Sequence, residues 1–85
     1  ENNKNKRNYK VYPNPFSSST TLEFPNYSQE PHTLSVFDIT GNRIRMVENI
    51  TSDKVVVERE DLSDGIYLFE LRSATQTLNG KLVVK

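Results

Sequence analysis

The chain has 85 residues, no cysteine, and eleven basic against eleven acidic side chains. That is enough for one domain, with no disulfide or thiolate metal site to staple it and no basic stripe of the kind a nucleic-acid binder needs. No apolar run approaches the ~18 residues of a transmembrane helix, and no signal peptide opens the sequence. A chain this small buries roughly 60–65% of its extended surface on folding, so its stability margin is modest.

The charge is unevenly placed. Residues 1–10 hold Lys4, Lys6, Arg7 and Lys10 against Glu1, a net +3, which leaves −3 for residues 11–85. Residues 1–8 contain four asparagines, three basic residues and nothing apolar, so they read as a polar linker. The folded domain is expected over residues 9–85. Without a leading Met, the chain reads as a piece of a larger protein whose amino-terminal signal lies elsewhere.

A short strand is predicted over residues 9–12. Pro13, Asn14 and Pro15 end it, because proline has no ladder donor and Pro15 disfavours the α region at Asn14. Phe16 is expected to plug one end of the core, and residues 17–19 are loop. Residues 20–24 alternate, with Leu22 and Phe24 inward and Thr21 and Glu23 outward, and Pro25 stops the strand. After a polar connection, residues 33–39 form the next strand. Leu34 and Val36 share one face there, while Phe37 and Ile39 share the other, which predicts cover on both sides or a bend near Asp38. Asp38 to Asn42 then reads as a hairpin loop, with Gly41 and Asn42 suited to positive φ.

The strand over residues 43–48 is expected to place Ile44 and Met46 inward and Arg43 and Arg45 outward. Residues 54–60 follow a loop, with Val55 and Val57 set against Val56, Glu58 and Glu60. The stretch 61–71 organises the rest. Leu62, Ser63, Asp64 and Gly65 lead into it as turn chemistry. Tyr67, Phe69 and Leu71 then share one face, and Ile66 and Leu68 take the other, which predicts a central strand shielded on both sides. A last strand runs over residues 77–85, with Leu82 and Val84 opposed to Lys81, Val83 and Lys85. Seven short strands with turn signals between them and no helical periodicity predict an all-β protein: a seven-stranded antiparallel β-sandwich of immunoglobulin-like type, with a small barrel as runner-up.

Little in the sequence suggests catalysis. His32, the one histidine, follows Pro31 in a polar loop and reads as surface. Ser17 to Ser19 have no base in sequence reach, and Tyr67 reads as core. Glu58, Glu60, Asp61 and Asp64 lack the alternating spacing of an EF-hand and read as a solvated turn rather than a calcium loop. Asp38 more simply holds the backbone donors of its own turn. Asn26-Tyr27-Ser28 and Asn49-Ile50-Thr51 match the glycosylation sequon, a weak signal. No enzyme, cofactor or metal is expected.

Four markers in order are more specific. They are Tyr12-Pro13-Asn14-Pro15-Phe16, then Phe37-Asp38 leading to Gly41, then Leu62 leading to Gly65-Ile66-Tyr67, and last Gly80-Lys81-Leu82-Val83-Val84-Lys85. Together, over residues 9–85, they resemble the type A C-terminal sorting domain of the type IX (Por) secretion system of Bacteroidota. The resemblance implies a seven-stranded, non-catalytic sandwich attached to an amino-terminal cargo. It implies export through the periplasm, recognition by the outer-membrane translocon, removal by a sortase-like peptidase, and a cargo at the cell surface or in the medium.

Recognition is expected at Gly80, Lys81, Leu82, Val83, Val84 and Lys85. A terminal strand is tied at one end only and can offer an edge for a partner's β-strand, with Lys81, Val83 and Lys85 outward and Gly80 admitting close approach. The competing reading is a carbohydrate-binding or adhesive sandwich. The chain has no Trp, so Tyr9, Tyr12 and Tyr27 are its only aromatic candidates for that role. The linker reading makes its own prediction: limited proteolysis should cut before Tyr9 and leave the sandwich intact. First cleavage within residues 38–42 would displace the boundary.

Overall fold

The structure, a computed structural model, describes residues 9–85, and the linker expected over residues 1–8 lies outside the described residues. Among the described residues there are seven strands and no helix: Lys10–Tyr12 (β1), Ser19–Glu23 (β2), His32–Phe37 (β3), Arg43–Ile50 (β4), Lys54–Glu58 (β5), Gly65–Arg72 (β6) and Thr77–Val84 (β7). They form two antiparallel sheets, one ordered β1-β2-β5 and the other β4-β3-β6-β7. Leu22 and Val57 of the first sheet and Leu34, Val36, Tyr67, Phe69, Leu71, Leu82 and Val84 of the second bury into one cluster, which Phe16, Phe24 and Ile50 complete. The alternation read from β2, β5 and β7 is the alternation found, because each of these strands has one face on that cluster.

β6 is central in its sheet, between β3 and β7, as its apolar content predicts. Tyr67, Phe69 and Leu71 are buried at 8%, 2% and 0% exposure. The expected cover on the opposite face is absent among the described residues: Ile66 and Leu68 stand 49% and 42% exposed. Two sheets have only one interior between them, so a strand central in its sheet still has one outer face.

β4 departs further from its pattern. Ile44 and Met46, expected inward, are exposed, and Arg45, expected outward, turns in. The cause lies in the pairing with β3. Phe37 pairs with Arg43, but Val36 pairs with Arg45 and Leu34 with Val47, with a register shift between Val36 and Phe37. Had the first register continued, Ile44 would face Val36 and Met46 would face Leu34. One inserted residue reverses the facing from Ile44 to Val47, and a second register shift follows between Leu34 and His32. The inward Arg45 donates to the carbonyl oxygens of Glu58 and Arg59, at the end of β5. It also lies 3.6 Å from both Glu60 and Asp61.

These placements predict contrasting mutants. Tyr67→Ala or Phe69→Ala should cost ~3–5 kcal/mol by opening a cavity, and lower Tm by at least ~12 °C in a domain of this size. Leu68→Ala, on the outer face of the same strand, should cost under ~1 kcal/mol. Thermal denaturation of the three proteins checks this. Equal losses from Leu68→Ala and Phe69→Ala would mean that the outer face is covered.

Candidate functional site

Residues 13–16 cross from the edge of one sheet to the edge of the other. The Tyr12–Pro13 and Asn14–Pro15 bonds are both cis. Pro13 O accepts a 2.7 Å hydrogen bond from Thr20 Oγ1, anchoring the start of the crossing on β2. Asn14 then does with its side chain what a strand does with its backbone. Its Oδ1 accepts from Val83 N at 2.8 Å and its Nδ2 donates to Lys81 O at 3.3 Å. Phe16 continues with its backbone, donating to Val83 O at 2.9 Å and accepting from Lys85 N at 3.0 Å. Phe16 and Val84 thereby form a parallel bridge, and the Phe16 ring is buried at 2% exposure. Further along the same edge, Tyr9 Oη donates to Asn79 O at 3.0 Å.

The terminal strand therefore has no open ladder for a partner from Lys81 to Lys85. This corrects the expectation of an exposed edge at the carboxyl end: the edge exists in the topology, but the chain's own proline box covers it. An uncovered edge strand is a template for unwanted pairing, and covering it with a loop is one way proteins blunt it.

The six residues 80–85 divide by face. Leu82 and Val84 are each 1% exposed and anchor the strand in the core. Lys81 and Lys85 are exposed and Val83 is half-buried. Ile66 pairs with Val83, and Leu68 pairs with both Lys81 and Phe37, so Lys81 and Val83 project from the outer sheet face among half-exposed apolar side chains. Gly80 lies on the inner parity with Leu82 and Val84. A Cβ there would collide with Tyr9 Oη and come within 2.7 and 2.8 Å of Phe69 ring carbons. Its close approach is thus to the chain's own rings, which meet edge to face with centroids 5.4 Å apart.

The remaining markers hold turns. Asp38 Oδ1 accepts from Thr40 N at 3.0 Å, Thr40 Oγ1 at 2.7 Å and Asn42 N at 3.0 Å, while Gly41 takes φ 94°. These bonds, the Thr40 hydroxyl first, hold the Asp38 carboxyl below its ordinary value of 3.8. Leu62 packs partly buried against the core. Its carbonyl accepts from Arg59 Nε at 2.9 Å, and Arg59 Nη2 meets Asp64 at 2.6 Å. Gly65 opens β6 at φ 153°, and Tyr67 Oη reaches back to Ser63 O at 2.7 Å. Each of the four sequence markers has a definite structural job.

The family described as secretion system C-terminal sorting domain matches residues 10–85. The chain belongs to that family. No curated protein matches it at a significant level. It is a family of sorting signals rather than of enzymes, consistent with the type IX sorting domain that the four markers suggest. A sorting domain is attached to a cargo, acts with secretion machinery, and implies export to the cell surface or medium.

His32 in this sorting domain is not the surface residue expected. It is 1% exposed, with Nδ1 donating to Glu30 O at 2.8 Å and Nε2 accepting from Gln76 Nε2 at 2.9 Å. Its ring lies 4.9 Å from that of Phe24. The signal was the alternation: His32 is in phase with Leu34 and Val36, and β3 begins one residue earlier than read. Of the acidic cluster, Glu60 and Asp61 face Arg45 and Asp64 binds Arg59, and among the described residues no three His, Cys, Asp or Glu side chains gather as a metal site would need.

Two outcomes follow for the sorting domain. Asn14→Ala removes both side-chain bonds to β7 and should cost ~1–3 kcal/mol, with faster amide exchange at Val83. Unchanged exchange there would mean that Asn14 does not close the edge. Asp38 has a lowered folded value, so its contribution is present above pH 3.8 and is lost as pH falls through that folded value. The Tm gap between wild type and Asp38→Asn should therefore narrow as pH drops below 3.8.

Proposed function

We propose that this domain directs the protein carrying it through the type IX outer-membrane translocon to the cell surface or medium, and that a sortase-like peptidase then removes it. The cargo lies amino-terminal to Tyr9 in the same chain, with residues 1–8 as linker, and passes through the periplasm on the way. The domain needs no cofactor and performs no reaction. Its recognition end is residues 80–85, and the Pro13–Phe16 box holds that end in register.

One observation carries the choice of surface. The backbone edge of β7 is occupied by Asn14 and Phe16, while the Lys81 and Lys85 side chains stand in solvent. A translocon meeting the folded domain encounters side chains there, not a ladder. Leu82 and Val84 serve recognition indirectly, by fixing where Lys81, Val83 and Lys85 point.

The fold is best read as immunoglobulin-like. The sheet orders β1-β2-β5 and β4-β3-β6-β7 support this. So does the Tyr67 hydroxyl bonded to a carbonyl four residues upstream at the start of a central strand, the arrangement called a tyrosine corner in such sandwiches.

The test is the double variant Lys81→Glu with Lys85→Glu, on a reporter fused to the domain. Both side chains are exposed, and the bonds of their backbone groups do not depend on side-chain charge. Stability should change by under ~1 kcal/mol, while the reporter accumulates in the periplasm. Normal export of the folded variant would sink these lysines as the signal and move recognition to the Pro13–Phe16 box or to the fold as a whole.

A further inference from the structure

A second surface feature lies beside β1, β2 and the loop before β5. It is an open groove of about 900 Å³, within the ~300–1,000 Å³ of small-ligand clefts. Its walls come from Tyr9 and Lys10 at the start of β1, from Glu23 to Gln29, and from Thr51 to Asp53. Those walls are held together by one side chain. Asn26 Nδ2 donates to Glu30 O, Thr51 O and Ser52 O at 3.0, 3.1 and 3.0 Å, and Asn26 Oδ1 accepts from Glu30 N at 2.9 Å. A turn closed by Gln29 N on Asn26 O at 3.1 Å then carries Tyr27 at its tip.

Tyr27 is 98% exposed. No packing need explains a tyrosine held that far into water on a loop this tightly tied. Beside it, no internal hydrogen bond engages the side chains of Gln29, Thr51 or Asp53 among the described residues. Glu23 is held in place across the strand pair by a 2.9 Å hydrogen bond from the Tyr12 hydroxyl. The groove thus combines an exposed aromatic ring, carried on a tied loop, with an amide, hydroxyls and two carboxylates.

We propose that this groove binds a neutral oligosaccharide. A sugar presents an apolar C–H face to an aromatic ring and a rim of hydroxyls that donate to carboxylate and amide oxygens, the stronger of these bonds being the charge-assisted ones. Tyrosine supplies that contact area at low entropy cost. Nucleic acid is disfavoured because Glu23 and Asp53 repel phosphates while Lys10 is the only basic residue lining the groove among the described residues. The inference is independent of the sorting role: it needs no translocon, and it makes the domain a surface ligand-binder while attached to its cargo.

The experiment titrates the isotope-labelled 85-residue chain with neutral glucan, mannan and chitin hexasaccharides and, in parallel, with an extended uncharged peptide. Saturable amide shifts at Tyr27, Gln29, Thr51, Ser52 and Asp53 are expected with at least one sugar, at millimolar affinity or tighter. Tyr27→Ala should weaken that binding by about tenfold or more, with melting unchanged. Ile39→Ala, exposed and outside the groove, should bind as wild type. The proposal is overturned by the absence of saturable shifts with all three sugars at ~10 mM. Shifts confined to other surfaces, tighter binding of the peptide than of any sugar, or a Tyr27→Ala variant that binds normally would overturn it equally.

Discussion

The closure of β7 by residues 13–16 is the constraint on which the rest of the molecule depends. A chain of 85 residues without a disulfide has little stability to spare, and its last strand would otherwise be an edge secured on one side only. Asn14 and Phe16 secure the other side with four hydrogen bonds. The same segment continues from β1, which pairs with β2 in the opposite sheet. One run of seven residues therefore ties both layers together at one end, and the Phe16 ring seals the interior between them. Gly80 belongs to this device, because its missing side chain is the seat for Tyr9 and Phe69.

At the other end of the sheet the problem is solved differently. β4 is also an edge strand, and a register shift with β3 brings Arg45 inward onto the carbonyl oxygens that end β5. The arginine satisfies acceptors that no strand reaches. The shift also turns Ile44 and Met46 out to join Leu68 and Ile66 on the outer face. Apolar side chains scattered over a solvent face are ordinary in small proteins, and of these Ile66 and Leu68 pair directly with the outward Val83 and Lys81 of β7. The two edges of the four-stranded sheet thus differ in kind: one is covered by chain, the other is bent by a bulge.

The surface is divided in the same way. Outward lysines and half-exposed apolar groups lie on the four-stranded sheet, while the tyrosine-bearing groove lies beside β1, β2 and the loop before β5. A domain that is a sorting signal needs a fold stable enough to present its surface and side chains that a partner can reach. Both requirements are met by strands whose inner residues are buried and whose outer residues stand in solvent.

Alternation and turn residues are local signals, so the seven strands, their approximate limits and the inward residues of β2, β5, β6 and β7 are legible in the sequence. It also carried the family, since the proline box, the Asp38 turn, the Gly65-Ile66-Tyr67 start and the terminal run are each short motifs with a local geometry. It did not reveal which way the side chains of β4 face, because that is decided by two register shifts in the pairing with β3. His32 was legible only once β3 was known to begin there, and its two partners come from Glu30 and from Gln76, forty-four residues away. The closed edge of β7 was hidden for the same reason. Asn14 and Val83 are sixty-nine residues apart in the chain, and only the tertiary structure brings a side-chain amide into line with a strand. Local chemistry sets which residues form each element; contacts between distant residues decide which edges, faces and grooves remain for a partner.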